Sequence, residues 1–155
     1  MAKIAMLHAI FVFLDVETGI QDLIGELMPE DELIHFVDSD VLASVVRDGE
    51  ITSDSESRMV LLAKTAERAG ADVIFSACSS LGPAIDRAKA HVKIPVVKID
   101  DAMTCQASLT GTTIGVLATV PTTLGPTASF IRNHAVDAGL DIEVIEQLAE
   151  GPLTC

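Results

Sequence analysis

Short unbroken apolar runs alternate along this chain with longer stretches in which apolar residues recur every three or four positions. Residues 3–8 are apolar between charged ends, as a parallel strand covered on both faces should be. Residues 9–17 read as a loop or the approach to a helix. Residues 18–28 have helical spacing through Ile20, Leu23, Ile24 and Leu27, ended by Pro29. Residues 33–37 predict a second strand that closes in Asp38-Ser39-Asp40, and 41–46 a short helix stopped by Asp48-Gly49. Ser53 is placed to cap a helix reaching about Ala69, with Met59, Leu62, Ala63 and Ala66 on one face and Gly70 as its stop.

A third strand over 73–75 leads into a helix that runs to about Ala90. The fourth strand spans 94–98 with Pro95 near its start, and 100–108 is a further helix. Residues 112–118 form the fifth strand. The next helix begins at Pro121 or Thr122, extends to about Ala138 and stops at Gly139; residues 141–146 are the sixth strand, and 151–155 a closing loop. Alternation of this kind predicts an α/β fold, with parallel sheet covered by helices on both faces. Strand, loop and helix recur from about residue 110, so two units are expected, 1–98 and 99–155. Only two strands follow residue 110, and two parallel strands cannot cover themselves. The second unit is therefore expected to be incomplete, cut short or completed by another chain.

Composition adds limits. Apolar residues make up 49% of the 155, but aromatics only 3%, so the core must be aliphatic. The formal net charge is −13, which disfavours binding to phosphate backbones and to anionic lipid and so predicts neither a nucleic-acid nor a membrane partner. No apolar run approaches the roughly 20 residues that span a bilayer. The apolar start lacks the basic flank of a signal peptide and reads better as a core strand. Three cysteines without close spacing suggest neither a disulfide framework nor a zinc site, and a cytoplasmic protein with free thiols is expected. Acidic residues are scattered, so no metal site is indicated, and no nucleotide-binding glycine motif occurs.

The chemistry concentrates at two strand tips. Cys78 stands where the third strand gives way to helix, followed by Ser79 and Ser80 and then Gly82-Pro83. Ligands of open α/β sheets bind at the carboxyl ends of strands. A thiol beside free helical N–H groups has its anion favoured. The serine hydroxyls and those N–H groups make a cradle for a carboxylate. A buried structural thiol is the competing reading. At the second tip, Thr119 lies at the strand end with Thr122 and Thr123 at the helix start, where Thr122 could equally be a plain helix cap. His8 ends the first strand at the same rim and is a candidate lining residue. His35 reads as a packed or edge histidine, His91 and His134 as solvated, and Cys105 as core. Cys155 is assigned no role, and Asp100-Asp101 opens a helix where carboxylates are favoured.

At these residues the sequence resembles the aspartate/glutamate/hydantoin racemase superfamily. The resemblance is carried by 4–8, by 71–86 with its Cys-Ser-Ser-Leu-Gly-Pro-Ala segment, by 96–102, and by 114–126 with Gly-Val-Leu-Ala-Thr-Val-Pro-Thr-Thr. It implies two flavodoxin-like lobes and cofactor-independent proton transfer next to the carboxylate of a small amino acid or related acid. It further implies Cys78 as catalytic thiol, and His8, Ser79, Ser80, Thr119, Thr122 and Thr123 as substrate-binding residues. The resemblance also implies a homodimer. The family's second acid/base follows a strand that would lie beyond Cys155, and neither Cys105 nor Cys155 matches it, so the chain reads as a member lacking its C-terminal part. A site with one thiol could instead decarboxylate or cis-trans isomerise a small dicarboxylate, or merely bind a carboxylate without turnover.

Overall fold

Lys3–His8 forms strand β1, an inner strand of a four-stranded parallel sheet in the computed structural model, which describes residues 1–15 and 18–149. The chain divides into two compact units, Met1–Lys98 and Ile99–Cys155. In the first, β1 is followed by the single-turn helix α1 (Val12–Asp15), helix α2 (Gly19–Leu27), strand β2 (Glu32–Val37), and helices α3 (Val41–Asp48) and α4 (Ser53–Arg68). Strand β3 (Val73–Ser76), a 3-10 turn (Ser79–Leu81), helix α5 (Gly82–Lys89) and strand β4 (Val96–Lys98) complete it. The strand order is β2-β1-β3-β4. Register aligns Leu7 with Ser76 and Ser76 with Lys98, so the ends of β1, β3 and β4 lie level.

Alternation of side chains across the sheet sorts the strand residues onto two faces. Ala5, Leu7, Ala9 and Ile74 join Val41 and Val45 of α3, Met59, Ala63 and Ala66 of α4, and Ala84, Ile85 and Ala88 of α5 in one core. Small alanines on the helices let them lie close to an aliphatic sheet, and each fully buried Leu, Ile or Met contributes about 1.5–3 kcal/mol. Ile4, Met6 and His8 project to the other face and are also buried.

Helix α4 starts one residue earlier than the pattern suggests. Thr52, in extended conformation, is its cap and accepts from the Ser55 N–H at 3.2 Å, while Ser53 is already helical. The stops at Gly49, Gly70 and Gly139 are real: each has positive φ (76°, 82° and 68°), which a side chain would strain. Strand β4 is shorter than expected because Pro95 has no N–H to pair, although its carbonyl accepts from Ile74 at 2.9 Å.

The second unit holds helix α6 (Asp101–Thr110), strand β5 (Thr113–Ala118), helix α7 (Pro121–Asp137) and strand β6 (Glu143–Leu148). Its sheet is the parallel pair β5-β6, paired from Thr113–Glu143 to Ala118–Leu148, which sets β6 two residues later than its apolar run indicates. Val116, Ala128 and Ile131 form its small core with Ile114, Leu124, Ile142 and Val144 around it. Residues 16–17 and 150–155, with Cys155, lie outside the described residues. Among the described residues no helix is long and apolar enough to cross a membrane.

Candidate functional site

The site in the first unit is built by the end of β3. Cys78 is the last extended residue (φ −130°, ψ 106°) before the 3-10 turn, is partly exposed, and packs against the core on the α4–α5 face. The chain then turns sharply: the Leu81 N–H donates to the Cys78 carbonyl at 3.2 Å, and the Gly82 N–H to the Ser79 carbonyl. Pro83, in the first turn of α5, has no N–H to give. These donors are spent inside the turn or absent, so the anion cradle is narrower than the sequence implies. Its polar side chains are the Ser79 and Ser80 hydroxyls, with Ser80 buried and Ser79 partly exposed.

His8 lies level with this turn but on the opposite sheet face. It is 1% exposed, its Nε2 stands 3.0 Å from His35 Nδ1, and its own Nδ1 has no hydrogen-bond partner. Burial, and then the neighbouring His35, lower its pKa to about 4, so it is a neutral imidazole at ordinary pH. His35 is largely exposed on the edge strand β2, and partial desolvation of its ring lowers its pKa as well.

Two charged features at the same end of the sheet escape sequence reasoning. Asp38, just past β2, accepts from Arg58 Nε at 2.7 Å and from Arg58 Nη2, and also from the Asp40 and Val41 backbone N–H groups at 3.2 Å. The Arg58 hydrogen bonds hold the Asp38 carboxyl below its usual range, and Asp38 and Asp40 raise the guanidinium in turn. Twenty residues separate the partners, and nothing local announces the pairing. Lys98 closes β4 and is 4% exposed, with Nζ 2.9 Å from Asp86 Oδ2. Its only sequence signal is a lysine ending an apolar run in a chain with 10 basic residues against 23 acidic ones.

In the second unit Thr119, Thr122 and Thr123 gather at the carboxyl end of β5. Thr119 is exposed, and the other two sit partly exposed in the first turn of α7. Thr122 is not the cap: Val120 occupies that position with no side-chain bond, and Pro121 is the first helical residue. Pro126 has no N–H for the Thr122 carbonyl four residues back. Cys105 is exposed, not core, because α6 buries Thr104 and Ser108 and the thiol lies one residue round from that stripe. His134 is packed, not solvated. Its ring lies 4.5 Å from that of Phe130, and its Nε2 is buried without a partner. Among the described residues no group of His, Cys, Asp and Glu could hold a metal ion.

The family profile of Asp/Glu/Hydantoin racemase matches residues 14–150. Among solved structures the chain is similar to glutamate racemase from Aquifex pyrophilus, with 18% identity and a TM-score of 0.67 over 92% of this chain and 54% of that one. The chain thus spans about half the length of that enzyme. A looser likeness, TM-score 0.42 and 16% identity over 94% of this chain and 58% of the other, is to a periplasmic solute-binding protein of an ABC transporter from Actinobacillus succinogenes with bound D-allose. No curated protein sequence matches the chain.

Proposed function

The chain belongs to the Asp/Glu/hydantoin racemase family, and on that premise we propose that it is a cofactor-independent racemase- or isomerase-like enzyme. It moves a proton at the carbon next to the carboxylate of a small amino acid or related acid. The observation that carries the reading is the position of Cys78: partly exposed, at the carboxyl end of a parallel strand, one turn before a helix.

In this reading the Cys78 thiolate takes the α-proton, becoming a thiol, and the carbon's electron pair moves onto the substrate carboxylate. Charge builds on its oxygens in the transition state, where donors aimed at them lower the barrier. The Ser79 and Ser80 hydroxyls are assigned that work. Return of a proton to the same carbon completes exchange; return to the opposite face inverts it. His8, buried on the other sheet face against His35, is given no substrate contact in this reading.

The test is α-proton exchange with solvent deuterium over a panel of amino acids and hydantoins. Cys78→Ala is expected to lower the exchange rate by at least about a hundredfold, in keeping with loss of a positioned base. Unchanged exchange in the variant removes Cys78 from the mechanism. One observation favours a second reading: of the cysteines among the described residues only Cys78 stands at a strand tip, Cys105 being on an exposed helix face. A one-thiol site suits decarboxylation or cis-trans isomerisation of a small dicarboxylate. Carbon dioxide release, or a geometric isomer formed without α-proton exchange, would identify it. Saturable dicarboxylate binding with no turnover would mark a binding module.

A further inference from the structure

Helix α2 carries an apolar stripe that the first unit leaves partly uncovered. Ile20, Leu23, Ile24 and Leu27 recur at helical spacing, as on a helix that buries one face. The structure splits that stripe. Ile20 and Ile24 are half-buried, whereas Leu23 and Leu27 are 53% and 70% exposed, and Met28, which closes the helix, is exposed as well. None of the helix's own residues is fully buried. Leu23 and Leu27 stand about one turn apart in one row along the helix, and Asp22 and Glu26 form the row beside them. Glu30, past the helix end, is exposed too. The feature is a convex ridge of leucines edged by carboxylates.

Charge around the ridge is one-sided. From residue 4 to residue 46 the chain holds nine Asp and Glu and no Lys or Arg. The bases just before that stretch are already engaged: the N-terminal ammonium lies 3.9 Å from Asp31, and Lys3 lies 3.2 Å from Glu32. Asp22 accepts the Thr18 hydroxyl at 2.9 Å, which leaves its charge in place. Glu26 and Glu30 are exposed and make no ion pair among the described residues. A small molecule needs a concave site, so a convex helix face is covered by a macromolecule. Carboxylates repel nucleic acid and anionic lipid, and helices that enter a lipid interface carry Lys and Arg on their polar face. A second copy meeting ridge to ridge would set Asp22 and Glu26 against their own equivalents. The complement that fits is a protein surface both basic and apolar at helical spacing.

We propose that the ridge formed by Leu23, Leu27 and Met28 on α2 is a docking surface for a basic amphipathic helix of another protein. Apolar side chains of the partner, one turn apart, pack between Leu23, Leu27 and Met28, and its Lys or Arg residues lie against Asp22, Glu26 and Glu30. Burial of the leucines supplies affinity, while the carboxylate row sets orientation and speeds encounter. The surface lies wholly within the first unit and uses none of the residues assigned to the proposed chemistry.

The test uses the intact chain and a fluorescently labelled synthetic helix of about 18 residues, all Leu and Lys with the leucines on one face, read by anisotropy. One control peptide has the same residues in an order that scatters the leucines, and another has Glu in place of Lys. The patterned lysine peptide should bind saturably and at least about tenfold more tightly than the scattered one. Leu23→Ser together with Leu27→Ser should weaken it by at least about tenfold. Glu26→Lys together with Glu30→Lys should weaken the lysine peptide and strengthen the glutamate peptide. Opposed shifts of that kind mark charge complementarity, whereas a damaged fold would weaken both. Equal binding of patterned and scattered peptides would reduce the effect to bulk charge and overturn the proposal, as would an unchanged affinity in the leucine variant. The charge variant keeps the test decisive if the leucine variant does not fold. Sedimentation equilibrium of the chain alone and flotation with phosphatidylserine vesicles test the other occupants. Self-association, or vesicle binding, that the leucine variant abolishes would give the ridge to a second copy or to lipid and overturn the proposal.

Discussion

His8 shows how far a single side chain can be from what its position suggests. A histidine ending a strand at a candidate site reads naturally as a substrate contact, but alternation along β1 turns it to the face away from Cys78, where it is buried against His35. Its consequence is a pH dependence of stability. The folded pKa is about 4, against 6.5 for an unperturbed histidine. Between those values the unfolded chain binds a proton that the folded chain refuses. The stability contributed by neutral His8 is therefore complete above about pH 6.5 and is lost as the pH falls toward 4. Asp38 acts in a lower window: its carboxyl is depressed below 3.8, so its contribution is lost only as pH falls through the folded value beneath that. Urea midpoints measured from pH 7 to pH 4 should fall for the natural chain and fall less steeply for His8→Gln. Equal slopes would show that another group carries the dependence.

At the scale of elements, helix α4 offers the cleanest local test. Thr52 caps it through the Ser55 N–H, with Asp54 and Glu56 in the first turn and Arg68 in the last, all favourable to the dipole. Thr52→Ala should cost about 1 kcal/mol of stability by chemical denaturation, and Ser53→Ala much less, since Ser53 is already inside the helix. The reverse order would return the cap to Ser53. The same element shows what was legible from the residues. Apolar runs and glycine stops located the strands and helices, because burial periodicity and positive φ are local properties. The caps fall at Thr52 and Val120, one or two residues before the positions the sequence suggests, because several hydroxyls compete for a helix start and the backbone decides among them. Cys105 is exposed where the sequence predicts core, because α6 buries small polar residues, Thr104 and Ser108, in place of an apolar stripe. The Cys78 turn could be found from strand, hydroxyls and Gly-Pro in succession. The ion pairs of Lys98 and Arg58 could not, since they join partners 12 and 20 residues apart in the chain.

At the scale of the molecule, the two units differ in how much core they own. The first surrounds inner strands β1 and β3 with Met6, Leu7, Ile74, Leu81 and Ile85, all nearly inaccessible, whereas the second rests on Val116, Ala128 and Ile131 beneath two strands. Leu117 of β5 and Ile145 of β6 are 71% and 51% exposed, so one face of that pair buries little. A two-stranded parallel pair has few interstrand hydrogen bonds shielded by neighbours, and opening it locally exposes little new apolar surface. Amide exchange should therefore be slowest in β1, β3 and the core face of α4, and β5 and β6 should exchange at least about tenfold faster through local opening. The turn at Cys78 belongs to the first unit and the Thr119, Thr122 and Thr123 hydroxyls to the second. A small carboxylate such as aspartate or glutamate, if it engages those threonines, should slow exchange at the α7 start more than in β1, where protection is already near its limit. Protection of β5 equal to that of β1 in the free chain would mean that the second unit draws stability from surface beyond its own core.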